Sequence, residues 1–419
     1  MNKNHNLHSI ELPENPLEQV LKQGAQQLLA QAVEAELALL LDQYQNEKVE
    51  GIQRIVRNGY QPERTIQTGI GDIAVKIPKV RDRKHEGVKF NSSLIPPYLK
   101  KTKNIEELIP WLYLRGISTG DMQNALAPIF GETAKGLSSG TISRLKQVWE
   151  LEYKKWSTRS LNNRRYIYVW ADGIYSKVRM DDKLCLLVII GVDETGRKEL
   201  LAVSDGYRES EHSWTEVLNQ LQSQGLTAPP QLAIGDGALG FWNAVRKVWP
   251  TTGHQRCWVH KTVNILDKVP KAMQPKIKDS LQNIWMAETR ESAYEAYSLF
   301  EKNHKTKYPK ATNCLMKDKE EMLAFYDFPA DHWPHIRTSN PIESAFATIR
   351  LRTHKVKSCG SRKTTLTMTF KLAQSAQKKW IRLKGFRLLA DVLSGVKFKD
   401  GERIEQDQVE HHDELIHQI

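Results

Sequence analysis

Cysteine is scarce in this chain. Its 419 residues hold four, Cys185, Cys257, Cys314 and Cys359, and no two of them stand in a C-x-x-C spacing. That excludes a disulfide framework and points to a reducing compartment. Long apolar runs are missing as well: the longest, LCLLVIIGV from Leu184, is nine residues, about half of what a membrane-spanning helix needs. The polar opening MNKNHNLHSIELPEN lacks the apolar centre of a secretory leader. A soluble cytoplasmic protein with no membrane partner is expected. Acidic residues are also in deficit, 49 against 61 Lys and Arg, for a net charge of +12. The C-terminal residues conceal part of that surplus. Seven acids between Asp400 and Glu414 face only Arg403, so residues 400–419 carry −6 and the rest of the chain +18. A surplus of that size favours a polyanionic partner, and nucleic acid is the usual one.

At roughly 150 residues per domain the length implies two or three domains, and patterning divides them further. Residues 1–50 form an N-terminal helical region, where PLEQVLKQGAQQLLAQAVEAELALLLDQYQN has apolar spacings of three and four. Residues 51–103 read as a β-hairpin and basic arm: RTIQTGIGDIAVKIPKV alternates with period two around Gly71-Asp72, and PKVRDRKHEGVKF follows as an extended, phosphate-seeking stretch. Residues 104–160 give two short helices and a longer one that opens with Thr141, Ser143, Arg144 and Lys146, the pattern of a helix-turn-helix DNA reader. Residues 161–269 switch to three apolar strands (RYIYVWADGIY, KLCLLVIIGVD, KELLAVSDGYR), then alternate helix and strand. That order predicts α/β architecture of the ribonuclease-H-like kind. Residues 270–330 are a helical insertion, 331–385 the second part of the core, and 386–419 a C-terminal acidic tail.

Three Asp-Gly pairs stand out: Asp172 in WADGIY, Asp205 in SDGY and Asp236 in IGDGALG. Asp-Gly is a favoured turn dipeptide, so position must separate them. Asp172 lies within an apolar strand that continues through Ile174 and Tyr175. Asp236 falls between a strand and a helix, where α/β folds place their ligand sites. Asp205, followed by YRESEHS, reads as a turn. Two carboxylates on neighbouring strands suit a pair of divalent cations for phosphodiester cleavage, and such a site needs a third acid from a facing helix. Glu343, alone among basic residues in HIRTSNPIESAFATIRLRTH, is the candidate. Taken alone it is a capping residue, with Asn340 as N-cap, Pro341 at the first helical position and Glu343 at the third. On that helix Glu343, Ala347, Arg350 and His354 share one stripe, while Ile342, Phe346 and Ile349 form the buried side.

The segments ADGIYSKVR, GDGALGFWNAV, QRCWVHKTVNIL and RTSNPIESAFATIRLRT, in this order and spacing, resemble the Mutator-like bacterial insertion-sequence transposases, from the N-terminal helix to KKWIRLKGF. The resemblance implies a ribonuclease-H-like catalytic core with a helical insertion, preceded by mostly helical DNA-binding domains. It maps an Asp-Asp-Glu triad onto Asp172, Asp236 and Glu343, as catalytic residues and metal ligands for two Mg²⁺ ions, with Mn²⁺ as a substitute. Arg350, seven positions after the glutamate, fills the family's basic position. Cys257 and His260 form its C-x-x-H pair and are accessory candidates; no second pair with fitting spacing makes a closed zinc site. Arg144, Lys146, Lys261 and Arg352 are the expected DNA contacts. The implied activity is metal-dependent strand cleavage and 3′-hydroxyl strand transfer on double-stranded DNA, at terminal inverted repeats and at a target, by a homodimer or larger homo-oligomer. A non-catalytic DNA-binding regulator or domesticated relative is one alternative. A nuclease of the same core without strand transfer is another.

Overall fold

In the computed structural model the first described element is a single 28-residue helix, α1 (Pro16–Gln43). The structure describes residues 16–114, 116–117, 121–130, 139–177, 183–206, 208–356 and 361–404. It falls into two compact units, Met1–Ser143 and Arg144–Ile419. In the first, α1 turns Val33 and Leu37 onto a core with Ile66, Ile73, Val75, Ile77, Phe90 and Ile95, as the apolar spacing of the helix requires. After a ribbon of two-residue strands, Lys48–Val49 and Ile52–Gln53, four longer strands follow: β1 (Ile55–Tyr60), β2 (Arg64–Thr68), β3 (Gly71–Val75) and β4 (Pro78–Asp82). β2 and β3 form the hairpin, but its turn is Gly69-Ile70, and Gly71-Asp72 opens the second strand. The Thr68 hydroxyl donates to the Gly71 carbonyl at 2.6 Å and closes the turn there.

The basic stretch after the hairpin is not an extended arm. Its first five residues are β4, paired antiparallel with β1, and Asp82 holds the buried Arg54 guanidinium at 3.2 Å. Two short helices, α2 (Lys103–Leu114) and α3 (Met122–Phe130), share a small core of Ile105, Ile109, Met122 and Leu126. The third helix of the expected reader, α4 (Ser139–Ser157), crosses the division between the units, which follows Ser143. Within the second unit its Tyr153 and Trp156 pack on Phe370 at 5.4 and 4.7 Å. The Tyr153 hydroxyl also donates to the Val203 carbonyl.

The second unit is built on a five-stranded mixed sheet. β5 (Tyr166–Lys177), β6 (Lys183–Asp193) and β7 (Lys198–Gly206) form an antiparallel meander. The chain then crosses through α5 (Glu211–Ser223) to β8 (Leu232–Gly235), and through α6 (Leu239–Val248) to β9 (Gly253–Arg256). β8 runs parallel to β5 and β9 parallel to β8, so the order across the sheet is β7-β6-β5-β8-β9. Asp205 is a strand residue of β7 and not part of a turn; its carboxylate pairs with Arg362 at 2.8 Å.

Both faces of the sheet are covered, which is why β6 reads as an unbroken apolar run. Leu184 through Ile190 are fully buried. One face packs on Trp214, Val217 and Leu218 of α5 and on Phe241, Trp242 and Val245 of α6. On the other, Tyr168 meets His332 at 2.8 Å and Trp170 donates to the His335 carbonyl at 3.0 Å. Asp172 has the same parity in the strand as those two residues, so it points to that second face.

After α7 (Trp258–Leu266), residues 274–323 supply the helices α8 (Gln274–Trp285), α9 (Arg290–His304), α10 (Pro309–Met316) and α11 (Lys319–Leu323). They dock on the end of β9 through the fully buried Gln255. Its amide donates to the Met322 carbonyl and accepts from the Phe325 N–H. The glutamate-bearing helix, α12 (Asn340–Val356), follows, and then α13 (Arg362–Gln377). Ile342, Ala345, Phe346 and Ile349 of α12 are buried at helical spacing. No helix among the described residues is long and apolar enough to cross a membrane. Residues 405–419 of the acidic tail and Cys359 lie outside the described residues.

Phe346 anchors α12. Phe346→Ala is expected to lower the unfolding free energy by about 3–5 kcal/mol, read from urea denaturation. A loss well below 1 kcal/mol would show that the helix is not seated in the core.

Candidate active site

The parallel register sets the site. Gly235 of β8 pairs with Ala171 of β5, so the next residue on each strand, Asp236 and Asp172, stand abreast. Adjacent strands lie about 4.8 Å apart, which brings two carboxylates together at the carboxyl end of β8. A third acid joins them. Oxygens of Asp172, Glu209 and Asp236 all lie within 4.8 Å of one another. Glu209 follows β7 and directly precedes Ser210, whose hydroxyl caps α5 by accepting from the Ser213 N–H.

Asp172 is only 7% exposed. It accepts one hydrogen bond, from the Gly173 N–H at 2.8 Å, and Asp236 accepts one from the Ala238 N–H, also at 2.8 Å. Among the described residues no Lys or Arg forms an ion pair with Asp172, Glu209 or Asp236. Burial pushes the Asp172 carboxyl up to about 7; the charge of His260 opposes it, and the negative charges of Asp236 and, less, of Glu209 add to it. Glu209 is raised too, first by burial and then by Asp236. Three hard oxygen ligands with no Lys or Arg paired to them, and only the His260 imidazole as a basic neighbour acting on them, fit a hard divalent metal ion.

Glu343 belongs to a neighbouring group, in which ligand atoms of Cys257, His260 and Glu343 lie within 4.8 Å of one another. Ser339, rather than Asn340, starts the helix turn: its carbonyl accepts from the N–H groups of Ile342 and Glu343. Its hydroxyl lies 3.4 Å from Glu343 Oε1, 3.4 Å from His260 Nδ1 and 3.2 Å from Cys257 Sγ. The other imidazole nitrogen, Nε2, is 3.8 Å from Glu343 Oε1. With Ser339 on one nitrogen and Glu343 on the other, His260 works here as a bridge within a hydrogen-bonded set. Its pKa rises to about 9, mainly through the Cys257 hydrogen bond and further through Asp172 and Asp236. Burial pushes the Cys257 thiol up, but the hydrogen bonds of His260 and Ser339 outweigh it and hold the thiol low. A protonated His260 thus links the two acid groups.

The remaining sequence candidates divide. Arg350 is exposed on α12, its guanidinium 5.8 Å from the Phe346 ring centroid. Arg144 is exposed and Lys146 half-buried on α4. Lys261, expected at a DNA contact, is instead 7% exposed, with Nζ 2.6 Å from Asp318; the insertion supplies the charge that buries it. The side chain of Arg352 lies outside the described residues. Glu209 escaped the sequence reading because it sits in a polar run after an Asp-Gly pair. One signal was present: β7 runs in the same direction as β8, so its carboxyl end lies at the same edge of the sheet as Asp236.

Fold and site together describe an α/β protein with clustered carboxylates at the carboxyl ends of its strands. A family model described as "Transposase, Mutator family" matches residues 3–383. The transposase for insertion sequence element IST2 of Acidithiobacillus ferrooxidans is 51% identical over 287 residues, covering 67% of this chain and 95% of that one. The transposase for insertion sequence element IS6120 of Mycolicibacterium smegmatis is 46% identical over 303 residues, covering 72% and 93%. The chain belongs to the Mutator family of transposases. Among solved structures, a chain of the Drosophila P element transposase strand transfer complex matches at 11% identity and a TM-score of 0.22, a level that defines no common fold.

Ionising Asp172 costs folding stability, because its folded-state pKa lies above the unfolded value of 3.8. The cost is absent below about pH 4, grows as pH rises and is complete above about 7. Asp172→Asn is therefore expected to stabilise the metal-free protein at pH 8 by up to ~4 kcal/mol, and to give no gain at pH 4. Thermal unfolding in a chelator at both pH values checks this. An equal effect at both would contradict it.

Proposed function

We propose that the chain is a DNA transposase that binds the terminal inverted repeats of its own insertion element, cuts a strand at the element end and joins the freed 3′-hydroxyl to target DNA. The observation that carries this reading is the register that sets Asp236 beside Asp172 in a member of a transposase family. The strand order, an antiparallel meander followed by two parallel strands beyond its first strand, supports a ribonuclease-H-like core. The unit before Arg144, together with Arg144 and Lys146 of α4, takes the role of end recognition. A homodimer or larger homo-oligomer holds the two ends.

In the cleavage step, water forms a bond to the phosphorus as the P–O3′ bond breaks, leaving a 3′-hydroxyl and a 5′-phosphate. In the joining step that 3′-hydroxyl attacks a second phosphodiester and displaces its 3′ oxygen. Divalent cations, two Mg²⁺ or Mn²⁺ ions, would supply Lewis acidity to this phosphodiester chemistry when bound. Asp172 and Asp236 would hold them from the sheet, and Glu343 would contribute from α12. The low-dielectric wall around Asp172 strengthens its hold on a cation. Arg350, two turns along the exposed side of α12 from Glu343, holds a backbone phosphate as a bidentate donor.

A duplex bearing the element's own end provides the test, incubated with Mg²⁺ and a labelled target. Asp172→Ala, Asp236→Ala and Glu343→Ala should each reduce cleavage and joining at least ~10³-fold while end binding in a gel-shift assay persists. Arg350→Ala should weaken cleavage less. Cleavage that survives Asp172→Ala, or that shows no preference for the repeat ends and never joins strands, would overturn the reading.

A further inference from the structure

We infer that Glu209 is a third carboxylate ligand on the sheet, so that Asp172, Glu209 and Asp236 hold one divalent cation without Glu343. This rests on the cation-binding role of Asp172 and Asp236 proposed above, and adds a residue outside the expected Asp-Asp-Glu set.

Two glycines are shaped around Glu209, one from each aspartate motif. A Cβ added to Gly173, next to Asp172, would overlap the carboxylate carbon of Glu209. A Cβ added to Gly240, at the start of α6 beyond Asp236, would overlap the Glu209 carbonyl and the Ser210 backbone. Gly173 lies in an extended strand with no positive φ, so the turn chemistry that usually accounts for Asp-Gly does not apply. What the missing side chain provides is room for a carboxylate. Tyr175, two residues on from Gly173 in the same strand, acts on the Glu209 carboxyl and lowers its pKa against the effect of burial. The packing thus brings a third negative group to two others, at a place where Asp172 is over nine-tenths buried and accepts only the Gly173 N–H among the described residues. An arrangement that gathers like charges in a half-dry site, with no Lys or Arg paired to them among the described residues, is relieved by a proton or by a bound cation, and three convergent carboxylates suit the cation. Glu343 is meanwhile engaged by Ser339 and His260, outside the 4.8 Å group of the other three.

The experiment is a titration of Mn²⁺ into the metal-stripped full-length protein without DNA, followed by the electron paramagnetic resonance signal of free Mn²⁺. Wild type should bind, and Glu343→Gln, whose carboxylate lies outside the sheet group, should lose less affinity than Glu209→Gln. Glu209→Gln should bind at least about tenfold more weakly, with its circular dichroism spectrum unchanged. Gly173→Ala leaves every carboxylate in place but displaces that of Glu209, so it should show the same loss; it carries the test should Glu209→Gln fail to fold. Absence of wild-type binding, wild-type affinity in Glu209→Gln or Gly173→Ala, or an equal loss in Glu343→Gln would overturn the inference. Asp172→Asn and Asp236→Asn separate the two readings. If they abolish binding while Glu209→Gln does not, only the role of Glu209 fails. If they leave binding intact, the cation site on the sheet fails with it.

Discussion

The parallel pairing of β8 with β5 is the constraint on which the rest depends. It places two carboxylates on adjacent strands at the same level of the sheet, a position that folding alone would avoid. Burial, and to a lesser degree the charge of Asp236, raise the cost of ionising Asp172, and its pKa of about 7 records it. The sheet tolerates this because its cost is met elsewhere. The strands on either side are apolar on both faces, and tryptophans from α5 and α6 fill the layer beneath. A rigid, overdetermined scaffold can hold a strained electrostatic arrangement that a loop could not.

The second acid group is organised by hydrogen bonds instead. Ser339 begins the turn of α12 and touches Cys257, His260 and Glu343 together, so the C-x-x-H pair and the helix start are one unit. His260 reaches both ways: it lies against Glu343, and its charge is favoured by Asp172 and Asp236. The helical residues between α7 and α12 bury Lys261 against Asp318 and dock on Gln255. They thereby brace the β9–α7 junction that carries Cys257 and His260.

Much of this was legible before any coordinates. Asp172 lies within its strand and Asp236 between a strand and a helix as their patterning predicted, and the buried side of α12 followed from its periodicity; Asp205, read as a turn, is a strand residue. The misses have local causes. Lys261 is one basic residue among many, and only a partner 57 positions away shows that it is internal. Asn340 and Ser339 are both good caps, and the choice between them depends on the Cys257 contact from another helix. The basic stretch after the hairpin read as an arm because its pairing partner, β1, lies before the hairpin rather than next to it. Glu209 was missed because it stands in a polar run, and its place depends on backbone approach at Gly173 and Gly240 that no local pattern marks.

One measurement decides the central claim, that the sheet carboxylates form the cation site. Crystals soaked in Mn²⁺ and measured near the manganese absorption edge report the ion by its anomalous scattering. The account predicts a peak coordinated by Asp172 and Asp236. A peak confined to Cys257, His260 and Glu343, with none between the two aspartates, would contradict it.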